Sequence, residues 1–486
     1  MEPIVETDAG RVRGIADEGG AAFLGIPFAA PPVGRHRLAA PAPVEPWSGV
    51  RDAGEHGPTA VQPEQGFTLI PEPVVPGDDC LNLNVFTPDP GAGGLPVLVW
   101  IHGGGFVSGC NRSPWYRGSR FARDGVVVVA VNYRLGVEGF AAVEGAPPNR
   151  GVLDWLAALA WVQRNIAAFG GDPARVTVGG QSAGAAAAVT LLTMPRADGL
   201  FDRVLAMSGT AVLSRSYDEA LDDTRRVAAE LGVPATRDGL AGVPAARVMT
   251  TERRLATERR GTAGGLAGGV AAGPLVDGDL IPEWPLDALA RGVGADRALL
   301  LGTTAEEVNP ALALAADRVD EARLRRRLAR MGLGDGAARS YRDDLPAGAA
   351  PWQVLAAAVT DQIFRLPAAR TADARAGAAA GTFAYEFRWR SPALGGVGAA
   401  HCVDLPFAWD LLDADHVPAV LGEAPPGALA ERMHRHWVDF VTTGDPGWPA
   451  YEPGSRRVMA LDDESEVLED PLAARRAIWD SVDGAG

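Results

Sequence analysis

The chain has 486 residues, of which 47% are hydrophobic, so it is long enough to bury a large core. Its 61 acidic side chains outnumber 45 basic ones, and the net charge of −16 argues against nucleic acid as a partner because phosphate backbones repel such a surface. Every basic residue in that count is arginine, and the lack of lysine excludes Schiff-base chemistry on a lysine.

The cysteines and the apolar runs indicate the cellular compartment in which we expect the protein. Cys80, Cys110 and Cys402 are too few for a disulfide framework and lack metal-ligand spacing. Residues 1–6 (MEPIVE) lack the basic start and apolar stretch of a signal peptide. The longest apolar runs, such as residues 125–131, fall short of the roughly 18 residues that a membrane helix needs. We therefore expect a soluble, cytoplasmic protein with no membrane partner.

The predicted elements alternate between strands and helices. Residues 1–90 are rich in Pro and Gly and predict hairpins and loops. Apolar runs that predict strands buried on both faces follow at residues 95–101 (LPVLVWI), 126–132 (VVVVAVN), 175–179, 203–207 and 297–301. A helix is predicted at residues 151–169, where Leu153, Leu156, Leu159 and Val162 recur at helical spacing. This alternation predicts an α/β fold with a mostly parallel sheet and helices on both faces.

Two later segments differ in composition. Residues 262–273 (TAGGLAGGVAAG) are almost all small and predict a mobile loop, whose role the sequence leaves open. Residues 317–330 are dense in charge and predict a solvated helix face rather than an anion site. No repeat is apparent, and the motifs run from end to end. We therefore expect residues 1–486 to form one domain with loop and helical insertions.

A nucleophile elbow is predicted at Gly180-Gln181-Ser182-Ala183-Gly184, between a strand and an Ala-rich helical run. Such a turn strains the backbone of the serine and lifts its hydroxyl above the sheet. It also brings neighbouring backbone so close that glycine is needed two positions to either side. Ser182 is therefore the candidate nucleophile.

An oxyanion hole is predicted after the first apolar strand, at Ile101-His102-Gly103-Gly104-Gly105-Phe106. Consecutive glycines let backbone N–H groups point into a site, where they stabilise the oxygen anion of acyl transfer. The candidate donors are Gly104, Gly105 and Ala183. A phosphate-binding loop would need a following Lys and Ser/Thr or a longer glycine spacing, and neither is present. We expect His102 to order this loop rather than to transfer protons.

The serine needs a base, and the base needs an acid to orient it. In α/β-hydrolases these residues follow in the order Ser, acid, His, which leaves His401, His416, His434 and His436 as candidates. His434 and His436 lie in a predicted helix that favours surface or packing roles, and His416 has no supporting context.

Motifs along nearly the whole chain resemble the type-B carboxylesterase/cholinesterase family, and bacterial para-nitrobenzyl esterase-like carboxylesterases in particular. They lie at residues 23–29 (FLGIPFA), 79–85 (DCLNLNV), 132–136 (NYRLG), 161–173 (WVQRNIAAFGGDP), 207–210 (MSGT) and 440–446 (FVTTGDP). The resemblance implies the α/β-hydrolase fold, a small-molecule carboxylic ester as substrate, and no metal or organic cofactor.

The resemblance also indicates which residues correspond to the family's catalytic base and acid. Residues 398–407 (GAAHCVDLPF) resemble the family's catalytic-histidine loop, which assigns the base to His401. Residues 300–307 (LLGTTAEE) resemble the segment that carries the catalytic glutamate, which assigns the acid to Glu307. Glu306 stays an alternative, because Val308 stands where the family usually has glycine. By the same resemblance, Ser208 is expected to hydrogen-bond the acid.

Three departures from the family shape the expected substrate and compartment. Gln181 replaces the usual glutamate, which should lower the pKa of His401 because a nearby anion is lost. The loop at residues 62–79 contains no tryptophan and has Phe67 as its one aromatic residue, so choline esters are poor candidates. Cys80 has no cysteine at the family's pairing position and is expected to be a buried free thiol, in agreement with a reducing cytoplasm.

The predicted reaction is two-step acyl transfer through an acyl-enzyme on Ser182. One alternative is a hydrolase acting on amides, carbamates or lactones with the same residues. The other is a non-catalytic, cholinesterase-like binding protein. The natural acyl and alcohol groups, the enantioselectivity and the oligomeric state are left open by the sequence.

Overall fold

The computed structural model describes residues 2–62, 68–210, 213–263, 272–393, 395–396 and 398–483. The strands are β1 (Ile4–Thr7), β2 (Gly10–Arg13), β3 (Ile15–Asp17), β4 (Gly20–Pro27), β5 (Val50–Asp52), β6 (Asn82–Thr87), β7 (Leu95–Ile101), β8 (Val127–Val131), β9 (Gly171–Gln181), β10 (Arg203–Met207), β11 (Arg215–Ser216), β12 (Leu275–Val276), β13 (Ala298–Thr304), β14 (Thr382–Phe387), β15 (Arg457–Leu461) and β16 (Glu466–Glu469). The α-helices are α1 (Ser119–Arg123), α2 (Gly136–Phe140), α3 (Arg150–Asn165), α4 (Ala183–Leu192), α5 (Tyr217–Leu231), α6 (Arg237–Ala241), α7 (Ala245–Ala263), α8 (Pro285–Ala290), α9 (Asn309–Ala313), α10 (Glu321–Arg330), α11 (Asp335–Asp343), α12 (Pro351–Thr360), α13 (Leu366–Ala374), α14 (Leu405–Ala408), α15 (Val417–Leu421), α16 (Gly427–Thr443) and α17 (Ala473–Asp483).

Across the described ranges, eleven strands form one sheet in the order β16-β15-β14-β13-β10-β9-β7-β8-β6-β4-β3. Neighbouring strands from β15 through β8 run parallel. The strands at the two ends pair antiparallel. The predicted mostly parallel sheet is therefore confirmed. Small sheets of β1, β2 and β5 and of β11 and β12 lie outside it.

The sheet is buried on both faces, and β7 shows how its sequence achieves this. Val97, Val99 and Ile101 belong to one apolar core together with residues of α3 and α4. Leu98 and Trp100 belong to a second core together with residues of α16. Because successive strand side chains point to opposite faces, an uninterrupted apolar run is what a strand between two helical layers requires.

The predicted strands recur with small changes in their bounds. Residues 95–101 and 203–207 form β7 and β10 as predicted, and residues 126–132 contain β8. Residues 175–179 lie within the longer β9, and the strand predicted at residues 297–301 is β13, displaced by one residue and extended to Thr304. The helix predicted at residues 151–169 is α3 followed by a 3-10 helix, Ile166–Phe169.

The two later segments are described in part. Residues 317–330 contain α10, which buries Leu324 and Leu328 and exposes most of its charged side chains, as a solvated helix face should. In the small-residue segment, α7 continues to Ala263, and Ala272 is buried. The loop predicted there falls mainly on residues 264–271, which lie outside the described residues.

A buried ion pair ties the segment after β8 to α3. Arg134 donates from Nε and Nη2 to Asp154, over 2.8 and 2.7 Å, and its backbone N–H donates to the same carboxylate over 3.0 Å. The two side chains are 3% and 0% exposed. A buried charge is tolerable only with such pairing, because its transfer from water is costly.

Asp154→Asn should lower the free energy of unfolding by about 3–5 kcal/mol, because it leaves the Arg134 guanidinium buried without a counter-charge. Urea denaturation measures the change. Asp8→Asn is the matched control, since Asp8 pairs with Arg164 over 2.7 Å with both side chains well exposed. Its expected cost is about 0–1 kcal/mol. Equal costs for the two variants would contradict the stabilising role of the buried pair.

Candidate active site

Ser182 occupies a sharp turn between the end of β9 and the start of α4. Its backbone has φ 56° and ψ −120°, a region that non-glycine residues rarely adopt. The Ser182 N–H donates to the Met207 carbonyl over 2.8 Å, which anchors the turn to the neighbouring strand β10. The structure thus contains the strand, turn and helix predicted for a nucleophile elbow.

Glycine is required on both sides of this turn. A Cβ atom added to Gly184 would lie 1.9 Å from the carbonyl oxygen of Ile101, at the end of β7. A Cβ atom on Gly180 would lie 2.3 Å from the carbonyl carbon of Gly184. These close approaches bring the start of α4 directly against β7.

The glycine-rich loop at residues 102–106 follows β7 and lies over the elbow. Gly104, Gly105 and Phe106 have φ values of 101°, 62° and 62°. A Cβ atom on Gly103 would lie 3.3 Å from the Cβ of Ser182, which shows how near the loop approaches the serine. Within the described part of the chain, no hydrogen-bond acceptor is recorded for the N–H groups of Gly104 and Gly105.

His102 holds this loop. Its ring stacks on Tyr133 with the centroids 4.4 Å apart, and its Nδ1 lies 2.8 Å from the Gly103 carbonyl oxygen. The Tyr133 hydroxyl donates to the His102 carbonyl over 2.9 Å. Burial lowers the pKa of His102 to about 4, so its ring is neutral at pH 7. These contacts agree with the ordering role expected for it.

His401 and Glu307 are in direct contact. The Nδ1 of His401 lies 2.5 Å from Oε2 of Glu307, and the His401 N–H donates to the Glu307 carbonyl over 3.1 Å. The Glu307 side chain is fully buried, and its Oε1 accepts from the Thr304 N–H over 2.9 Å. Strand β13 ends at Thr304, so the strand end orients the carboxylate that faces the imidazole.

The charge state of His401 reflects opposing influences. Burial alone lowers its pKa, but the neighbouring Cys402 sulfur and the Glu307 carboxylate outweigh burial and raise the pKa well above its usual value. Burial raises the pKa of the Cys402 thiol as well, so Cys402 is uncharged at pH 7. The Glu307 carboxylate is therefore the charge that stabilises a protonated His401.

Glu306 points elsewhere. Its Oε2 accepts from the Ala399 N–H over 2.9 Å, and its Oε1 pairs with Arg390 over 3.0 Å. A Cβ atom on Gly398 would lie 1.8 Å from that Oε2, so a glycine is needed where the carboxylate docks. Of the two neighbouring glutamates, Glu307 is the one that contacts His401.

The other late histidines lie in separate places. His434 contacts Asp124 over 3.0 Å, His436 contacts the Pro446 carbonyl over 2.6 Å, and His416 is exposed. The expectation that Ser208 hydrogen-bonds the acid is wrong. The Ser208 hydroxyl is buried with no hydrogen-bond partner among the described residues, and the Thr304 N–H bonds to Glu307 instead.

Asp404 is a buried carboxyl group near the site that the sequence did not single out. Its Oδ2 accepts from the Tyr385 hydroxyl over 3.1 Å, while Oδ1 has no hydrogen-bond partner in the described ranges. Burial and the negative charge of Glu307 raise the pKa of Asp404 to about 7. An acidic residue three positions after the candidate base, amid apolar neighbours, was the only signal available.

The described residues bring together no three His, Cys, Asp or Glu side chains that could hold a metal ion. Their helices are too short or too polar to cross a bilayer. Cys80, Cys110 and Cys402 are buried free thiols, as expected for Cys80.

The elbow, the glycine-rich loop and the histidine loop at the carboxyl ends of parallel strands define an α/β-hydrolase. Comparison with known proteins agrees, since the model of the Carboxylesterase family matches residues 1–479. Phenmedipham hydrolase of Pseudarthrobacter oxydans is 35% identical over 96% of this chain and 97% of that protein. Para-nitrobenzyl esterase of Bacillus subtilis (strain 168) is 34% identical over 97% of each chain.

Solved structures show the same relationship. The Geobacillus stearothermophilus carboxylesterase EST55 at pH 6.2 has a TM-score of 0.87 and 36% identity, covering 98% of this chain and 99% of that one. A PNB esterase structure has a TM-score of 0.85 and 33% identity over the same shares. The chain belongs to the carboxylesterase family, and it is a serine hydrolase that cleaves carboxylic esters. The predicted family, fold and reaction class are confirmed.

Asp404→Asn should flatten the pH dependence of stability. Because burial raises the pKa of Asp404 from 3.8 to about 7, the folded state binds this proton more tightly than the unfolded chain. The free energy of unfolding should therefore fall as pH rises through that window, and the asparagine variant should lack this part of the fall. We expect the stability of the variant relative to the native protein to grow by about 2 kcal/mol between pH 5 and pH 8.

Urea denaturation across this pH range tests the expectation. Asp413→Asn is the control, since that side chain is 71% exposed and its relative stability should stay nearly constant. A constant difference in the free energy of unfolding between Asp404→Asn and the native protein would show that the carboxyl group is ionised throughout this pH range.

Proposed function

We propose that Ser182, His401 and Glu307 are the catalytic triad of this carboxylesterase. The observation that carries the proposal is the 2.5 Å contact between His401 Nδ1 and the buried Glu307 carboxylate. A carboxylate in that position keeps the Nδ1 proton in place and leaves Nε2 as the basic nitrogen. This nitrogen lies beside the elbow, 3.2 Å from the side-chain amide of Gln181, the residue that precedes Ser182.

The reaction then proceeds in two acyl transfers. His401 Nε2 takes the proton of the Ser182 hydroxyl as its oxygen attacks the ester carbonyl carbon. The resulting imidazolium, stabilised by Glu307, returns the proton to the departing alkoxide, and the alcohol leaves an acyl-enzyme on Ser182. Water, deprotonated by His401, hydrolyses that ester by the same route and regenerates the serine.

The N–H groups of Gly104, Gly105 and Ala183 form the oxyanion hole in this proposal. Ala183 is the first residue of α4, so its N–H has no acceptor within the helix. The positive φ values of Gly104 and Gly105 belong to a loop that passes close to Ser182. Donors held by the backbone stabilise the tetrahedral intermediate without having to reorganise.

Small, uncharged esters are the substrates that we propose. The name of one relative supplies a probe for this proposal, a p-nitrobenzyl ester. We also propose that the chain acts as a single domain in a reducing, cytoplasmic setting. The family match over residues 1–479 and the three buried free thiols support this reading.

Ser182→Ala should lower kcat/KM for a p-nitrobenzyl ester by at least about 10⁴-fold, because the nucleophile is lost. The rate of p-nitrobenzyl alcohol release measures the change. Ser340→Ala, on the exposed side of α11, is the control and should match the native rate. Substantial turnover by a folded Ser182→Ala protein would rule out the triad.

Glu307→Gln and Glu306→Gln form a matched pair that tests the acid. Glu307→Gln should lower kcat by about 10³–10⁴-fold, since an amide neither fixes the His401 tautomer nor stabilises the imidazolium. Glu306→Gln keeps an acceptor for the Ala399 N–H and loses only an ion pair with Arg390, whose side chain is 57% exposed, so its rate should stay within roughly fivefold of native. The reverse order of rates would transfer the role to Glu306.

A further inference from the structure

The side chain of Gln181 lies between the glycine-rich loop and the ring of His401. Gln181 is the last residue of β9 and is 1% exposed. Its Nε2 lies 3.2 Å from His401 Nε2. Its Oε1 faces the other way, so that a Cβ atom on Gly103 would lie 2.9 Å from it. The amide is therefore enclosed beside the nitrogen that must accept a proton from the serine.

The chemistry of this contact restricts the protonation of the ring. An amide nitrogen only donates hydrogen bonds, so His401 Nε2 must be the acceptor, with its lone pair free. The ring proton then resides on Nδ1, where it is given to Glu307 over 2.5 Å. Bonds at opposite ends of the ring thus select one neutral tautomer. In the described part of the chain, no hydrogen bond joins His401 to the Ser182 hydroxyl.

We propose that Gln181 is a positioning residue that favours the neutral, basic form of His401 against the charge of Glu307 and yields the Nε2 lone pair to Ser182 when an ester binds. The inference rests on the proposed triad. The family resemblance implied only that a negative charge is lost at position 181. The structure adds a hydrogen bond from Gln181 to the base itself.

The groups that face His401 include negative charges that favour its protonated form, and Gln181 opposes their effect. Glu307 approaches from the loop after β13 and favours the imidazolium. Asp404 and the Cys402 thiol come from the loop of His401 itself, and the apolar ring of Phe364 packs 5.1 Å away from it. Gln181 supplies a donor that only the neutral ring can accept. It therefore counteracts the carboxylates and keeps His401 available as a base at lower pH.

The pH dependence of kcat/KM for a neutral p-nitrobenzyl ester tests this inference. Gln181→Glu keeps the shape but supplies a negative charge and no donor when ionised, so the midpoint of the acid limb should rise by about one pH unit. Gln181→Met keeps the bulk without a donor, and its midpoint should rise by a smaller amount. Gln353→Glu is the control, since it adds the same charge at a helix N-terminus where Gln353 already caps Ala350, and its midpoint should not move.

Histidine ¹⁵N NMR spectra provide a second readout. This readout would not depend on Gln181 if its side chain served only for packing. At a pH above the midpoint of the acid limb, the His401 Nε2 signal of the native protein and of Ser182→Ala should be that of an unprotonated nitrogen that accepts a hydrogen bond. In Gln181→Met it should shift towards the value of a free lone pair. Unchanged midpoints in both folded Gln181 variants, or an unchanged Nε2 signal in Gln181→Met, would overturn the inference. Turnover by Ser182→Ala would instead refute the triad, so the two failures are distinguishable.

Discussion

The contact between the start of α4 and the end of β7 determines how the site is built. Gly184 passes so close to the Ile101 carbonyl that no side chain fits between them. The turn that makes this approach holds the backbone of Ser182 at a positive φ and sets the serine beneath the loop at residues 102–106. One steric constraint thus brings the nucleophile of the proposed triad and the proposed oxyanion donors together. It also explains why both flanking positions of the turn are glycine.

The position of the ring proton of His401 depends on the neighbours of its two nitrogens. Two neighbours of His401 act on opposite nitrogens, Glu307 on Nδ1 and Gln181 on Nε2. In the proposed mechanism, the carboxylate stabilises the charged ring that the reaction forms, whereas the amide suits the neutral ring that must exist beforehand. Asp404, with a pKa of about 7, adds a nearby carboxyl group whose charge varies in the neutral range. In the proposed mechanism, the balance among these groups sets the pH at which His401 can act as the base.

Much of the fold follows from local patterns, because strands buried on both faces need continuous apolar runs such as β7 and β8. The elbow and the glycine-rich loop are local as well, since glycine spacing reports close backbone approach. The prediction that Glu307 rather than Glu306 contacts His401 rested on a family resemblance, because adjacent glutamates differ only in how the loop turns. The contact between Gln181 and His401 joins residues 220 positions apart, and the burial of Asp404 depends on packing that no short motif encodes.

Covalent labelling with diethyl p-nitrophenyl phosphate tests most directly whether Ser182 is the activated nucleophile. Attack of its hydroxyl oxygen on phosphorus forms a serine phosphoester and releases p-nitrophenolate, while His401 takes up the proton. We predict one equivalent of p-nitrophenolate per chain, complete loss of esterase activity, and a diethylphosphoryl adduct on the peptide that contains Ser182. An adduct on another residue that accompanies the loss of activity, or a fully active protein after prolonged exposure, would contradict the account.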